Sequence, residues 1–175
     1  VVLTDIDGVD GISNSSFDIT HFETAGEYSS LSLKNRKKLF KNHIVSDVLK
    51  AFQYMMCGLD ISEYAVTHCE AEVVGRLHLG SCDRLPFPDN SFDAATSINT
   101  IHNLDHEGCV RALQEMKRVA PRNNFVQIDS YRTQQEKQNM QDWVLTAVTT
   151  HDPEGWRKLF AEAGYDGDYY WTITE

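Results

Sequence analysis

The stretch GLDISEYA, Gly58 to Ala65, has the form of a buried strand running into a helix. Tyr54 to Cys57 place aromatic and soft apolar weight before it. Asp60 falls at the carboxyl end of that strand. Ser62 stands where a helix start needs a side-chain acceptor for an unpaired backbone N–H. The same alternation continues on both sides.

Upstream, Val1 to Ile6 reads as a short apolar strand, and residues 7 to 20, rich in Gly, Asp, Ser and Asn, read as loop. Residues 33 to 52 read as helix, because Leu39, Phe40, Ile44, Val48, Leu49 and Phe52 recur at helical spacing. Downstream, VVGRLHL at 73 to 79 reads as a strand and LPFPDNS at 85 to 91 as a turn. A strand is expected over Phe92 to Asn99. A helix is expected from about Asp105 to Ala120, with Val110, Leu113, Met116 and Val119 or Ala120 on one face. Phe125 to Asp129 is the next strand. Thr133 and Glu136 have the spacing of a capping box. Met140, Trp143, Val144, Ala147 and Val148 then follow at helical period, with the tryptophan read as core. Asp152-Pro153 opens a last helix that buries Trp156, Leu159, Phe160 and Ala163 and ends at Gly164. Asp168 to Thr174 is the terminal strand.

Strands alternating with helices predict an α/β domain with a mainly parallel sheet. The expected division is an N-terminal segment over 1–32, partly loop, and an α/β domain over 33–175. The start at Val1 suggests a trimmed or partial chain. Composition is that of a globular protein, 41% hydrophobic and 24% charged. The net charge of −10 opposes nucleic acid and anionic membranes as main partners, since phosphate binding needs clustered cations. Lys34, Arg36, Lys37, Lys38 and Lys41 are read as a solvated helix face. No apolar run reaches membrane-spanning length, and no signal peptide is visible. Cys57, Cys69, Cys82 and Cys109 lack metal spacing, so reduced thiols in a cytoplasmic protein are expected and no metal site is assigned.

Ligands of parallel α/β sheets bind outside the carboxyl ends of the strands. Those ends carry Asp60, Gly80-Ser81-Cys82-Asp83, Ser97 to Asn99 and Asp129-Ser130. An acid placed like Asp60 takes ribose hydroxyls in such folds; its structural alternative is to cap the next helix.

The blocks GSCDRLPFPDNSFDAATSINTIHNL (80–104), RALQEMKRVAPRNNFVQIDS (111–130) and GWRKLFAEAGYDGDYYW (155–171), with the GLDIS strand end, resemble a class I S-adenosylmethionine-dependent methyltransferase. The resemblance spans Gly58 to Glu175. It implies a Rossmann-like, doubly wound, mostly parallel sheet with helices on both faces and an antiparallel C-terminal strand. It also implies methyl transfer from S-adenosylmethionine to a small polar acceptor, with S-adenosylhomocysteine as product. By this resemblance Asp60 takes the two ribose hydroxyls, as an ionised carboxylate can. Ile61 lies against the adenine, and the backbone of Cys82 faces the ring. Ser81 stands where the family has an aspartate for the adenine amino group, a departure that neighbouring Asp83 could offset. Ser97, Ile98 and Asn99 lie beside the methionine part. His102 is the candidate general base for a hydroxyl acceptor; its structural alternative is the first residue of a helix.

The family's glycine-rich loop belongs about twenty residues before Asp60. There the chain reads NHIVSDVLKAFQYMM, and no glycine lies between Glu27 and Gly58. Three explanations stand: residues absent between about Asn42 and Met56, a fold retained without cofactor binding, or VVLTDIDGVDG serving in an altered topology. The first is preferred, because a sheet without its central strand leaves buried edges unpaired. Two rival functions follow. One is a non-catalytic binding module. The other is a magnesium-dependent phosphatase of the haloacid-dehalogenase type, which VVLTDIDGVDG resembles, with Asp5 as nucleophile and Asp7 as acid/base.

Overall fold

The computed structural model describes residues 2–4 and 56–174. The loop expected at 7–20, the helix expected at 33–52, and the expected gap up to Tyr54 and Met55 lie outside them. Among the described residues one sheet contains β1 (Val2–Thr4), β2 (Met56–Asp60), β3 (Leu77–Leu79), β4 (Ala94–Ile98), β5 (Asn123–Asp129) and β6 (Asp168–Thr172). Their order is β3-β2-β1-β4-β5-β6. β2 runs parallel to β3, and β4, β5 and β6 run parallel to one another. β1 is antiparallel to both of its neighbours, β2 and β4.

The helices are α1 (Glu63–Thr67), α2 (His106–Val119), α3 (Gln134–Trp143) and α4 (Pro153–Ala163). Each starts where a side chain accepts an otherwise unpaired N–H. Ser62 Oγ accepts from Ala65 N at 3.2 Å, Asp105 from Gly108 N at 2.8 Å, and Asp152 from Gly155 N at 2.7 Å. Thr133 and Glu136 complete the reciprocal capping box. α4 ends at Gly164, whose φ of 66° suits a residue without Cβ.

The core joins α2 and α4 to β4 and β5. Cys109, Leu113 and Met116 of α2 and Trp156 and Leu159 of α4 are buried with Ala95, Val126 and Ile128. Trp156 is wholly enclosed, and its indole N–H donates to the Asp129 carbonyl at 3.1 Å. Cys82 and Cys109 are buried, Cys57 and Cys69 half-buried, and all four are free thiols.

Three expectations need correction. The strand expected over 73–79 shrinks to Leu77–Leu79, because Gly75 turns the chain at φ 83° after a short 3₁₀ turn at Ala71–Val73. The helix expected through Val148 stops at Trp143, which is only half-buried. Val148 is 67% exposed, and its N–H, with that of Thr149, bonds the His102 carbonyl at 2.9 and 3.0 Å. Those tertiary bonds replace the next helical turn. The C-terminal strand is parallel to its sheet neighbour, not antiparallel. The chain from β5 to β6 passes through α3 and α4, a crossover long enough to return it to the starting edge, whereas antiparallel neighbours need only a hairpin.

The turn at 85–91 is fixed from α2. Arg118 donates to the Leu85 and Phe87 carbonyls at 3.0 and 2.8 Å and to Asp89 at 2.8 Å. Glu115 accepts from Arg118 and from Leu85 N at 2.7 Å. The hydrogen bond from Arg118 chiefly holds the Glu115 carboxyl below the usual carboxylate range. Arg118→Ala is expected to lower stability by about 2 kcal/mol, since several charge-assisted bonds are lost at a partly exposed site. A chemical denaturation midpoint unchanged in this variant would show that the turn holds itself.

Candidate functional site

The polar residues singled out at the strand ends converge in part. β2 and β3 pair Asp60 with Leu79, and Gly80 N donates to the Asp60 carbonyl at 2.9 Å. Asp60 is therefore next to the Gly80-Ser81 corner. One carboxylate oxygen of Asp60 accepts from Ser62 N at 2.8 Å, the local capping role expected as its alternative. Its other oxygen has no partner among the described residues. One carboxylate thus fixes the turn and still presents a free acceptor at the sheet edge. Ile61 beside it is 74% exposed, so its side chain is available to lie against a planar ligand.

The Gly80–Asp83 corner borders an open recess of about 300 Å³, lined by Leu79, Gly80, Ser81, Asp83, Arg84 and Pro86. Ser81 Oγ donates to Asp83 at 2.5 Å, and Asp83 also pairs with Arg111 at 3.3 Å. The serine bond is the main cause that lowers the Asp83 pKa, with Arg111 adding to it. Asp83 is thus already engaged on both oxygens, and the Ser81 hydroxyl spends its one donor on it. Cys82 is buried, and burial pushes its thiol pKa up, away from a thiolate.

The end of β4 stands two strands away, beyond β1. At roughly 4.8 Å per strand this is about 10 Å from β2. Asn99 adopts a left-handed conformation, φ 48°, which asparagine tolerates better than most residues. Its N–H donates to the Gln127 carbonyl at 2.9 Å, while both polar atoms of its side chain are buried without a partner. Ser97 is placed differently. It is in register with Val126, both are wholly buried, and its hydroxyl has no partner. Ile98 is half-buried.

His102 lies in the 3₁₀ turn Ile101–Asn103 that follows β4, and it is 2% exposed. Its Nε2 faces the Asp129 carboxylate at the end of β5 at 3.6 Å, and Asp129 is 3% exposed. Burial lowers the His102 pKa to about 4 and raises that of Asp129 to about 7. The pair is therefore not a fixed ion pair at neutral pH. The sequence reading missed it, although an acid closing the apolar run FVQID was a visible signal.

Val2 pairs with Gly58 and Thr96, and Thr4 pairs with Met56 and Ala94, where β2 and β4 begin. The chain therefore leaves β1 at the edge opposite Asp60 and Asn99. DIDG, from Asp5 onward, lies outside the described residues.

A Rossmann-like α/β sheet with its polar corners at the carboxyl ends of parallel strands is the architecture of class I methyltransferases. Residues 41–128, half of the chain, match the family model described as a methyltransferase domain, and the chain belongs to this family. Solved structures match parts of the chain. A SAM-dependent methyltransferase of Thermotoga maritima is 24% identical, with 61% of this chain and 53% of that one covered at a TM-score of 0.49. The YcgJ protein of Bacillus subtilis is 19% identical, with 61% and 50% covered at 0.48. A Haloferax volcanii complex containing the Trm112 methyltransferase activator matches at 23% identity, with 61% and 49% covered at 0.49. The chain spans about half the length of the solved structures it matches. No curated protein matches it. Among the described residues, no helix is long and apolar enough to cross a membrane.

Proposed function

We propose that this chain is the part of a methyltransferase that holds the nucleoside end of S-adenosylmethionine and carries its methyl group to a small polar acceptor in the cytoplasm. The observation that carries this reading is the Asp60 corner: a strand-end carboxylate with one free oxygen, beside an open recess, in a chain of this family. The donor set suits the nucleoside. Asp60 accepts from the ribose hydroxyls, Ile61 offers an apolar face to the adenine, and the Ser81-Cys82 backbone borders the ring. Ile98 and Asn99 flank the methionine part, Asn99 with a buried side-chain amide that has no protein partner among the described residues. When bound, the cofactor supplies a methyl group activated by its sulfonium. The chain's own contribution is positioning, together with a neutral His102 that can hold a proton from the acceptor.

Asp60→Ala should weaken S-adenosylhomocysteine binding at least tenfold, because bonds to a charged acceptor are each worth about 1.5–3 kcal/mol. Calorimetry in EDTA checks this, with Asp5→Asn as the control expected to bind like the unaltered chain. Unchanged affinity in Asp60→Ala would leave that carboxylate with only its role of fixing the Ser62 turn.

A further inference from the structure

Four residues past β4 and on the last residue of β5, two titratable side chains meet out of solvent. His102 Nε2 stands 3.6 Å from Asp129 Oδ2, and their side chains are each 3% exposed. Neither Asp129 oxygen has a hydrogen-bond partner, and His102 Nδ1 has none either. Buried polar atoms without partners cost about 1–3 kcal/mol each, so an arrangement that orphans three of them in one pair calls for a reason.

The pair is held from the backbone. The Asp129 carbonyl accepts the Trp156 indole N–H at 3.1 Å, and Ser130 N donates to the Thr172 carbonyl at 2.9 Å. The His102 carbonyl accepts from both Val148 N and Thr149 N. Thr149 Oγ1 donates to the Leu104 carbonyl at 2.7 Å, and Ser130 Oγ to that of His151 at 3.0 Å. Both residues are thus anchored through their main chains while their side chains are left to face each other. A packing histidine would more simply have a neutral partner, such as a carbonyl, at hydrogen-bond distance.

We infer that Asp129 is the positioning residue for His102: its carboxylate faces Nε2, keeps the ring proton there, and so leaves Nδ1 as the lone pair that receives the acceptor's proton. This rests on the proposed role of His102. The two ring nitrogens are distinct, and the group opposite one of them decides which carries the proton. In the transfer, the acceptor's O–H bond breaks, its electron pair stays on oxygen, and the proton forms a bond to Nδ1. The ring then carries a positive charge, which the facing Asp129 carboxylate stabilises. Nδ1 is enclosed, so the acceptor reaches it when a neighbour gives way. Residues 144–151, bonded to the His102 carbonyl and carrying Leu145 at 85% exposure, form the neighbouring segment with no helical turn of its own to lose.

The test is the ring tautomer in the ¹⁵N-labelled full chain, read by long-range ¹H–¹⁵N correlation at pH 8.5. The expected result is a proton on Nε2 and an unprotonated Nδ1. Asp129→Asn should keep that tautomer, since an amide oxygen can still face Nε2 as a partial negative charge. Asp129→Leu should lose it and show both tautomers. A proton on Nδ1 in the unaltered chain would overturn the inference, and so would an unchanged single tautomer in a folded Asp129→Leu. If Asp129→Leu does not fold, the tautomer of the unaltered chain still decides. S-adenosylhomocysteine is added to the same samples: the expected tautomer without any binding sinks the proposed function and leaves the Asp129–His102 assignment standing.

Discussion

Trp156→Ala is expected to lower unfolding free energy by about 3–5 kcal/mol, the range for removing a large buried aromatic side chain. Trp156 is wholly enclosed between α4 and the sheet. Its ring meets His151 edge-on at 5.1 Å and tilts against Phe160 at 6.4 Å. Two losses combine. A cavity replaces those contacts, and the Asp129 carbonyl loses its indole donor. Trp156→Phe separates them. It restores most of the volume but not the N–H, so its cost should be nearer about 1–2 kcal/mol. Chemical denaturation of the three proteins measures both. A loss below about 1 kcal/mol in Trp156→Ala would mean that α4 does not anchor the sheet in this way.

Separating His102 from Asp129 should reveal two opposite pH dependences of stability. Burial depresses the His102 pKa from 6.5 to about 4, so the unfolded chain binds the extra proton between those values. Its contribution is present above pH 6.5 and lost as pH falls toward 4. Asp129 is the reverse. Its pKa rises from 3.8 to about 7, so the folded chain binds the extra proton. That contribution is present below pH 3.8 and lost as pH rises through 7. Between pH 4 and 6.5 the two proton counts cancel, and the unaltered pair contributes little slope. Asp129→Asn unmasks the histidine, and stability should then increase with pH at up to about 1.4 kcal/mol per unit. His102→Asn unmasks the carboxyl, and stability should decrease with pH at up to the same rate. Denaturation midpoints between pH 4.5 and 6.5 check the signs. Parallel slopes in the two variants would mean that neither group is desolvated as the fold implies.

Much of the architecture could be read from local chemistry. Asp152-Pro153 and Gly164 delimit α4 because capping, a fixed proline φ and a left-handed glycine act over a few residues. Thr133 and Glu136 did the same for the start of α3. Its end was misread because the apolar period continues through Val148, while the bonds that stop the helix go to His102, over forty residues away in sequence. Gly75 shortened a strand whose apolar residues pointed to a longer one. The direction of β6 followed the α3–α4 crossover, which strand composition does not encode. Asp60, Ser81 and Asn99 were visible because strand ends concentrate polar residues. The partnership of His102 with Asp129 was not, since it depends on how β4 and β5 lie side by side.

The most direct measurement of the central claim is amide chemical-shift mapping of the ¹⁵N-labelled chain titrated with S-adenosylhomocysteine. The account predicts saturable shifts at Gly58 to Ile61, Gly80 to Asp83, and Ile98 to Asn99, three segments on one edge of the sheet. Absence of saturable shifts, or shifts confined to the edge where β2 and β4 begin, would contradict it.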